Sequence, residues 1–151
     1  MFKLNKLADY ATVLLAIMAA EPARLYNGQE LSARSHLPAP TVAKLLKQLA
    51  RGGLLESLRG AHGGYRLTRA PARISVADII RALEGPIAVT DCSVHGSGCG
   101  ISRTCGSRTT FRLIDRAIRN ALEAVSLADM AARPAREAIL HFHRTPPPPP
   151  A

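Results

Sequence analysis

The chain has 151 residues, and the 47% that are hydrophobic suffice for one domain with a buried core and one extension. Its net charge of +9 lies mostly in residues 1–75, where 11 Lys and Arg outnumber 4 Asp and Glu, and this excess favours a polyanionic partner such as nucleic acid. The apolar runs are too short for a membrane span and no secretory signal is evident, so we expect a cytoplasmic protein whose thiols stay reduced.

Two helices are predicted at the start of the chain. Apolar residues recur every three or four positions over residues 5–20, which is typical of an amphipathic helix, and the Glu-Pro pair at 21–22 ends it. After the Asn-Gly turn at 27–28, a short helix is predicted to end at Ser35. The segment "LPAP" then breaks that helix and opens the next one, since proline is tolerated in a first helical turn.

The next helix, from Thr41 to Arg51, has two different faces. One face is apolar, and the other presents polar and basic side chains, namely Thr41, Lys44, Gln48 and Arg51, with Lys47 nearby. Two short helices joined by a tight turn, the second with such a face, are typical of a helix-turn-helix.

A β-hairpin is predicted directly after this helix, over residues 54–69. Leucines precede a glycine-rich tip at 60–64, and apolar and polar residues alternate after it. A hairpin in this position is a wing. Helix, turn, helix and wing together predict a DNA-binding domain.

The expected DNA contacts follow from these elements. Thr41 and Lys44 are predicted to contact base edges, with Pro40 fixing the approach, and Gln48 is predicted to be either a second reader or a phosphate contact. Phosphate contacts are predicted for Arg34, Lys47 and Arg51, minor-groove insertion for Arg59, and close approach to the DNA backbone for Gly63 and Gly64.

Two further helices are predicted in the second half. The first runs from Ser75 to Leu83 and begins with Ser75 and Asp78 as a capping pair. The second is a long helix over about 109–128, whose apolar stripe suits either a partner copy in a twofold dimer or packing within the chain. Residues 132–151, which end in "TPPPPPA", are predicted to be a disordered or polyproline-II tail.

All three cysteines lie between these two helices, in "DCSVHGSGCGISRTC". Six residues separate Cys92 from Cys99, and five separate Cys99 from Cys105. Thiolates suit an iron–sulfur cluster or zinc, and the glycines between them let the loop fold around a bulky group. The spacing alone leaves three interpretations open: a cluster, a zinc site, or unligated redox-active thiols.

These segments, in this order, resemble a known family. The stretches "KLADYATVLL", "TVAKLLKQLARGGLLESLRGAHGGYRL" and "ISVADIIRALEG", followed by three spaced cysteines, are similar to the IscR/NsrR-type regulators of the Rrf-two superfamily. The likeness covers about residues 1–130, and the N-terminal stretch is most similar to the branch that regulates the SUF iron–sulfur assembly genes.

The resemblance implies a mainly α fold with a small β-hairpin wing, in which a winged helix-turn-helix domain is followed by a long dimerisation helix. The implied divisions are a DNA-binding domain at 1–85, a cluster-binding loop at 86–108, a dimerisation helix at 109–131 and the proline-rich tail at 132–151.

The resemblance also implies a function. We expect a homodimer that binds a double-stranded DNA operator and represses iron–sulfur cluster assembly genes. The state of a [2Fe–2S] or [4Fe–4S] cluster would control its operator affinity. The alternatives are a nitric-oxide-sensing repressor on the same scaffold and a winged-helix regulator with a structural zinc. No enzymatic activity is expected.

The ligands of the cluster follow from the same resemblance, which implies that the three cysteines bind it. Some members use a histidine three residues after the third cysteine, but Arg108 stands there, and a guanidinium group stays protonated. Other members use an acidic residue of the first helix from the partner subunit, a position that Asp9 matches. His95, inside the loop, is the alternative fourth ligand.

Overall fold

Residues 5–88 and 106–132, which the computed structural model describes, form helices and one β-hairpin. The elements in chain order are α1 (Lys6–Ala19), α2 (Gly28–Ser35), α3 (Ala39–Arg51), β1 (Leu55–Leu58), β2 (Gly64–Leu67), a 3₁₀ turn (Pro71–Arg73), α4 (Val76–Glu84), α5 (Arg108–Glu123) and α6 (Leu127–Ala132). This order confirms the mainly α fold with a hairpin wing. None of the helices in these two ranges has the length and apolar character that a membrane span requires.

Polar side chains fix where three of the helices begin. Asn27 Oδ1 accepts a hydrogen bond of 2.8 Å from the Glu30 amide at the start of α2, and Asn5 caps α1 in the same way. At α4, the Ser75 hydroxyl accepts from the Asp78 amide at 3.2 Å, and the Asp78 carboxylate accepts from the Ser75 amide at 3.1 Å. The capping pair predicted for α4 is therefore confirmed.

One buried apolar cluster holds the winged domain together. It combines side chains of α1, α2, α3, the wing and α6, including Leu14, Leu15, Met18, Leu31, Leu45, Leu49, Leu67 and Leu127. Each fully buried side chain of this kind contributes about 1.5–3 kcal/mol. Because α3 presents its whole apolar face to this cluster, its opposite face is directed outwards.

The turn between α2 and α3 contains a residue in the left-handed backbone region. His36 has φ 58° and ψ 19°, a conformation in which glycine is the favoured residue. Ser32 Oγ donates a hydrogen bond of 2.6 Å to the Leu37 carbonyl and closes the turn. This short connection, residues 36–38, sets the angle between the two helices.

The wing is attached to the helices through its second strand. β1 and β2 are antiparallel, with Leu55 opposite Leu67 and Leu58 opposite Gly64. Tyr26, the residue before the N-cap of α2, exchanges two backbone hydrogen bonds of 2.8 Å each with Tyr65 on β2. The wing is therefore linked by its backbone to the start of the helix-turn-helix.

The segment predicted as one long helix consists of two helices. α5 ends at Glu123, and α6 begins after a new cap. The Ser126 hydroxyl accepts from the Asp129 amide at 3.1 Å, and the Asp129 carboxylate accepts from the Ser126 amide at 2.9 Å. The expected single helix over 109–131 is corrected accordingly, because this capping pair starts a separate helix.

The junction between α5 and α6 is also tied to the start of α4. The Val76 amide donates to the Val125 carbonyl at 2.9 Å, and the Leu127 amide donates to the Ile74 carbonyl at 2.7 Å. The Leu127 side chain is fully buried in the main cluster. These contacts turn the chain back, so that α6 packs against α1 and the 3₁₀ turn.

The apolar stripe of α5 has two environments. Ile118 and Leu122 pack against a small buried cluster on and after α4, so this part of the stripe is used within the chain. Leu113 and Ile114, nearer the start of α5, are 60% and 40% exposed. An exposed apolar pair of this kind is compatible with contact to a partner copy.

Replacing His36 by glycine is expected to stabilise the fold. The change removes about 1–2 kcal/mol of left-handed strain, and the greater freedom of glycine in the unfolded chain offsets about 0.5–1 kcal/mol of this gain. The free energy of unfolding, measured by urea titration, should therefore rise by roughly 0.5–1 kcal/mol.

His62→Gly at the wing tip is the matched control, because no positive φ is found there. This variant should leave the stability unchanged or lower it. A destabilised His36→Gly protein would show that the side chain of His36 contributes more than its backbone strain costs.

Candidate nucleic-acid interface

The outward face of α3 is basic. Lys44, Lys47 and Arg51 are exposed on this face. None of the three forms an ion pair or a side-chain hydrogen bond with another residue in the ranges 5–88 and 106–132. Cations without a protein partner are available to neutralise phosphates.

The start of α3 offers backbone donors beside this basic face. Its N-cap is Pro38, which supplies no side-chain hydrogen bond, and Pro40 lies in the first turn. The amides of Ala39 and Thr41 therefore receive no side-chain cap from the part of the chain that the structure describes, and such a helix N-terminus favours an anion such as a phosphate. Pro40 is exposed and Thr41 is partly exposed, so the predicted contacts at this end of the helix are sterically accessible.

Gln48 is less exposed to solvent than the sequence suggested. The residue is partly buried, and its Oε1 atom is buried without a hydrogen-bond partner in the described part of the chain. In this rotamer the oxygen faces the protein. A contact between Oε1 and a base would require the side chain to turn, so its role as a second reader stays a prediction.

The tip of the wing presents one cation. Arg59 is exposed, and no ion pair involves it among the residues that the structure describes. The neighbouring Gly60 has φ 118°, which glycine adopts readily and other residues avoid. Arg59 is thus accessible at the wing, and its minor-groove insertion stays a prediction.

The two wing glycines, Gly63 and Gly64, lie close to backbone atoms of neighbouring segments. A Cβ atom at Gly63 would lie 2.3 Å from the carbonyl oxygen of Leu58, and one at Gly64 would lie 2.7 Å from that of Tyr26. Glycine is therefore required at both positions for packing within the chain. The sequence had suggested only an approach to the DNA backbone, and that role remains a prediction.

Several other arginines near the interface are paired with acids. Arg66 forms a cross-strand ion pair with Glu56, whose hydrogen bond raises the pKa of Arg66. Arg69 lies 3.7 Å from Asp78 and donates to the Arg73 carbonyl at 3.3 Å. Arg66 and Arg69 are therefore held by partners within the protein, whereas the cations of α3 are available for DNA.

Arg34, a predicted phosphate contact, differs from the cations of α3. Its Nη1 atom lies 3.7 Å from Glu30 Oε1, and its guanidinium lies 5.6 Å from the centroid of the Tyr26 ring. Sequence reasoning missed this environment. The i, i+4 spacing of Glu30 and Arg34 was the signal that could have indicated it.

The predicted cluster ligands are divided between described and undescribed parts of the chain. Cys92, Cys99, Cys105 and the alternative ligand His95 lie outside the described residues. Asp9 is exposed in the first turn of α1 and forms no ion pair or side-chain hydrogen bond within 5–88 and 106–132. Those two ranges contain no group of three or more His, Cys, Asp or Glu residues arranged to hold a metal.

The start of α1 lies beside the end of α4. The Asn5 amide donates to Glu84 Oε1 at 3.3 Å. Asp9 is one helical turn after Asn5, and the cysteine segment follows α4 in the chain. The first turn of α1 and the C-terminal end of α4 are thus at the same end of the domain.

Comparisons with known proteins agree with this geometry. The Rrf2 family, described as an iron-dependent transcriptional regulator, matches residues 4–133. The HTH-type transcriptional regulator NsrR of Geobacillus kaustophilus is 28% identical over 130 residues, which cover 85% of this chain and 88% of NsrR.

Two solved structures extend the comparison. CymR, the global cysteine regulator of B. subtilis, has a TM-score of 0.66 at 28% identity and covers 87% of this chain and 97% of its own. IscR of T. potens has a TM-score of 0.62 at 27% identity, with 85% of each chain covered.

Replacing Lys47 by alanine is expected to weaken binding to duplexes of any sequence. Loss of one phosphate contact should reduce the slope of log K against log salt concentration by about 0.9. Fluorescence anisotropy on an arbitrary duplex over a range of salt concentrations measures this slope.

Arg81→Ala is the charge-matched control, because Arg81 is already paired with Asp78 at 3.2 Å and Glu123 at 2.7 Å. Its slope should equal that of the unmodified protein. Equal slopes for the Lys47 variant and the unmodified protein would show that Lys47 does not contact a phosphate.

Replacing Gly64 by alanine is expected to destabilise the fold by about 1–3 kcal/mol, because the new methyl group would overlap the Tyr26 backbone. Thermal or urea unfolding without DNA measures this. Gly28→Ala is the control, since its nearest neighbour would be Leu46 Cδ1 at an ordinary 3.8 Å. If Gly64→Ala kept full stability and lost only DNA affinity, the packing role would be wrong.

Proposed function

This chain belongs to the Rrf2 family of transcriptional regulators, and we propose that it senses an iron–sulfur cluster and represses iron–sulfur cluster assembly genes. The family consists of DNA-binding regulators and not of enzymes. The observation that carries the proposal is the clustering of all three cysteines in one segment between α4 and α5, in a family described as iron-dependent. The similarity to IscR and NsrR supports the same interpretation.

The donor set fits an iron–sulfur cluster. Cys92, Cys99 and Cys105 supply three soft thiolates, and a [2Fe–2S] or [4Fe–4S] group bound there would supply a redox-sensitive and oxygen-sensitive signal. One further ligand is needed. Asp9 is proposed for this role because its carboxylate is exposed and unpaired in the described ranges, and His95 is the alternative.

A carboxylate from the first helix would connect sensing to DNA binding. In the proposed homodimer, Asp9 of one subunit would bind the cluster that the cysteines of the other subunit hold. Loss of the bond between Asp9 and the cluster would therefore free α1. A carboxylate is a harder ligand than a thiolate and is therefore the bond expected to be lost first. The exposed apolar pair on α5, Leu113 and Ile114, is proposed to contribute to the dimer contact.

Helix α4 provides a route from the cysteine segment to α3. The segment leaves the end of α4 and enters α5, and Arg81 of α4 is paired with Glu123 of α5 at 2.7 Å. At its other side, α4 touches the end of α3 so closely that a Cβ at Gly52 would lie 2.4 Å from Ala82 Cβ. A shift of α4 is therefore expected to change the spacing of the two α3 helices relative to half-sites about 34–36 Å apart, or a multiple of it.

A regulator that responds through its thiols without a cluster is the second candidate. The similarity to CymR, the global cysteine regulator of B. subtilis, favours a mode of sensing other than a cluster. A nitric-oxide sensor would share the cluster and differ in its trigger, whereas a structural zinc would leave the cysteines without a sensing role.

The first test is the metal content of protein purified without oxygen. We expect a brown protein with equal amounts of iron and sulfide and no stoichiometric zinc. One zinc per chain would contradict the cluster. A colourless protein that stayed metal-free after incubation with iron and sulfide would also contradict it, and would favour the thiol-based candidate.

Replacing Asp9 by alanine is expected to accelerate loss of the cluster in air, because one of its four ligands is removed. The decay of the visible absorbance measures this rate. Glu21→Ala, an exposed acid just beyond the other end of α1, is the control and should decay like the unmodified protein. If Asp9→Ala were equally stable while His95→Ala decayed faster, the fourth ligand would be His95.

A further inference from the structure

Two arginines flank one buried tyrosine beside the interface. The Tyr26 ring is fully buried, with the guanidinium of Arg24 at 4.9 Å and that of Arg34 at 5.6 Å from its centroid. Both distances are within the range of cation–π attraction. The ring is a fixed platform, because the Tyr26 backbone is paired with Tyr65 by two hydrogen bonds of 2.8 Å.

Both guanidinium groups approach the same carboxylate oxygen. Arg24 Nη2 lies 2.7 Å from Glu30 Oε1, whereas Arg34 Nη1 lies 3.7 Å from that atom. Arg24 therefore holds the hydrogen bond, and Arg34 has only a loose attraction. Arg24 is further fixed by Glu21 at 3.1 Å, and the hydrogen bond to Glu21 is the largest cause of the raised pKa of Arg24.

The position of Arg34 suits a phosphate contact. It lies in the last turn of α2, the first helix of the helix-turn-helix, and this helix crosses the DNA backbone in complexes of this class. Its side chain is 41% exposed, and that of Glu30 is 25% exposed. A phosphate and Glu30 are thus alternative partners for one guanidinium.

We propose that Arg24 is a positioning residue, which occupies Glu30 and thereby keeps Arg34 available for a DNA phosphate. Without Arg24, the Glu30 carboxylate has no other close cation among residues 5–88 and 106–132, and it takes Arg34 as its full partner. The free energy of phosphate binding would then have to include breaking that ion pair. Tyr26 contributes by holding both guanidinium groups against one rigid surface. This role concerns DNA binding alone and does not depend on the proposed cluster.

The test measures affinity for an arbitrary duplex between about 50 and 200 mM salt, where phosphate contacts dominate the binding. Arg34→Ala should reduce the salt slope by about 0.9, the value for one phosphate. Arg24→Ala should reduce it by the same amount, although Arg24 itself is paired with two acids. The double variant Arg24→Ala/Glu30→Gln should recover the slope and affinity of the unmodified protein, because nothing then competes for Arg34.

A charge-matched control separates this mechanism from a general effect of net charge. Arg24→Ala/Glu21→Gln has the same net charge as the rescuing double variant, but it leaves the Glu30 carboxylate intact. It should stay as weak as Arg24→Ala. All variants are compared at equal metal content, and Glu30→Gln retains the backbone amide that Asn27 caps.

Three results would overturn the proposal. Rescue by Glu21→Gln as complete as that by Glu30→Gln would show that net charge alone is responsible. A double variant with Glu30→Gln as weak as Arg24→Ala would show that Arg24 contacts the phosphate itself. An Arg24→Ala protein that bound like the unmodified chain would show that Glu30 does not compete for Arg34.

Discussion

Two backbone hydrogen bonds between Tyr26 and Tyr65 fix the DNA-binding surface, because they join the wing to the residue that precedes the N-cap of α2. Gly64 lies against the Tyr26 carbonyl and admits no side chain, so the strand can approach closely enough for the pair to form. The buried Tyr26 ring also arranges Arg24 and Arg34. The start of the helix-turn-helix, the wing and these two arginines are thereby held in fixed positions relative to one another. A surface built in this way can move as one unit.

Features that depend on local chemistry were predictable from the sequence. The start of α4 followed from Ser75 and Asp78, whose side chains satisfy the amides that a helix leaves unpaired. The same Ser-x-x-Asp pattern at Ser126 and Asp129 was present but was passed over, because apolar residues continue at helical spacing across the break. Periodicity reports which face is buried, whereas a cap reports where a helix begins.

Features that depend on contacts distant in sequence were not predictable. The bridge between the start of α4 and the start of α6 joins residues about fifty positions apart, and no local pattern indicates it. The close approach of Gly64 to Tyr26 is of the same kind. For the candidate site, the basic face of α3 followed from periodicity, but the ion pairs that separate Arg66 and Arg69 from Lys47 required the fold.

The proposed route from the cysteine segment to the DNA-binding surface runs through α4, which packs on α3 and is paired with α5. We propose that the state of the cluster controls the affinity of that surface for DNA. The most direct measurement compares operator affinity for one preparation before and after chemical removal of its cluster, at one fixed salt concentration. The proposed mechanism predicts a change of about tenfold or more, equivalent to about 1.4 kcal/mol. Equal affinities for a cluster-loaded and a cluster-free protein would contradict it.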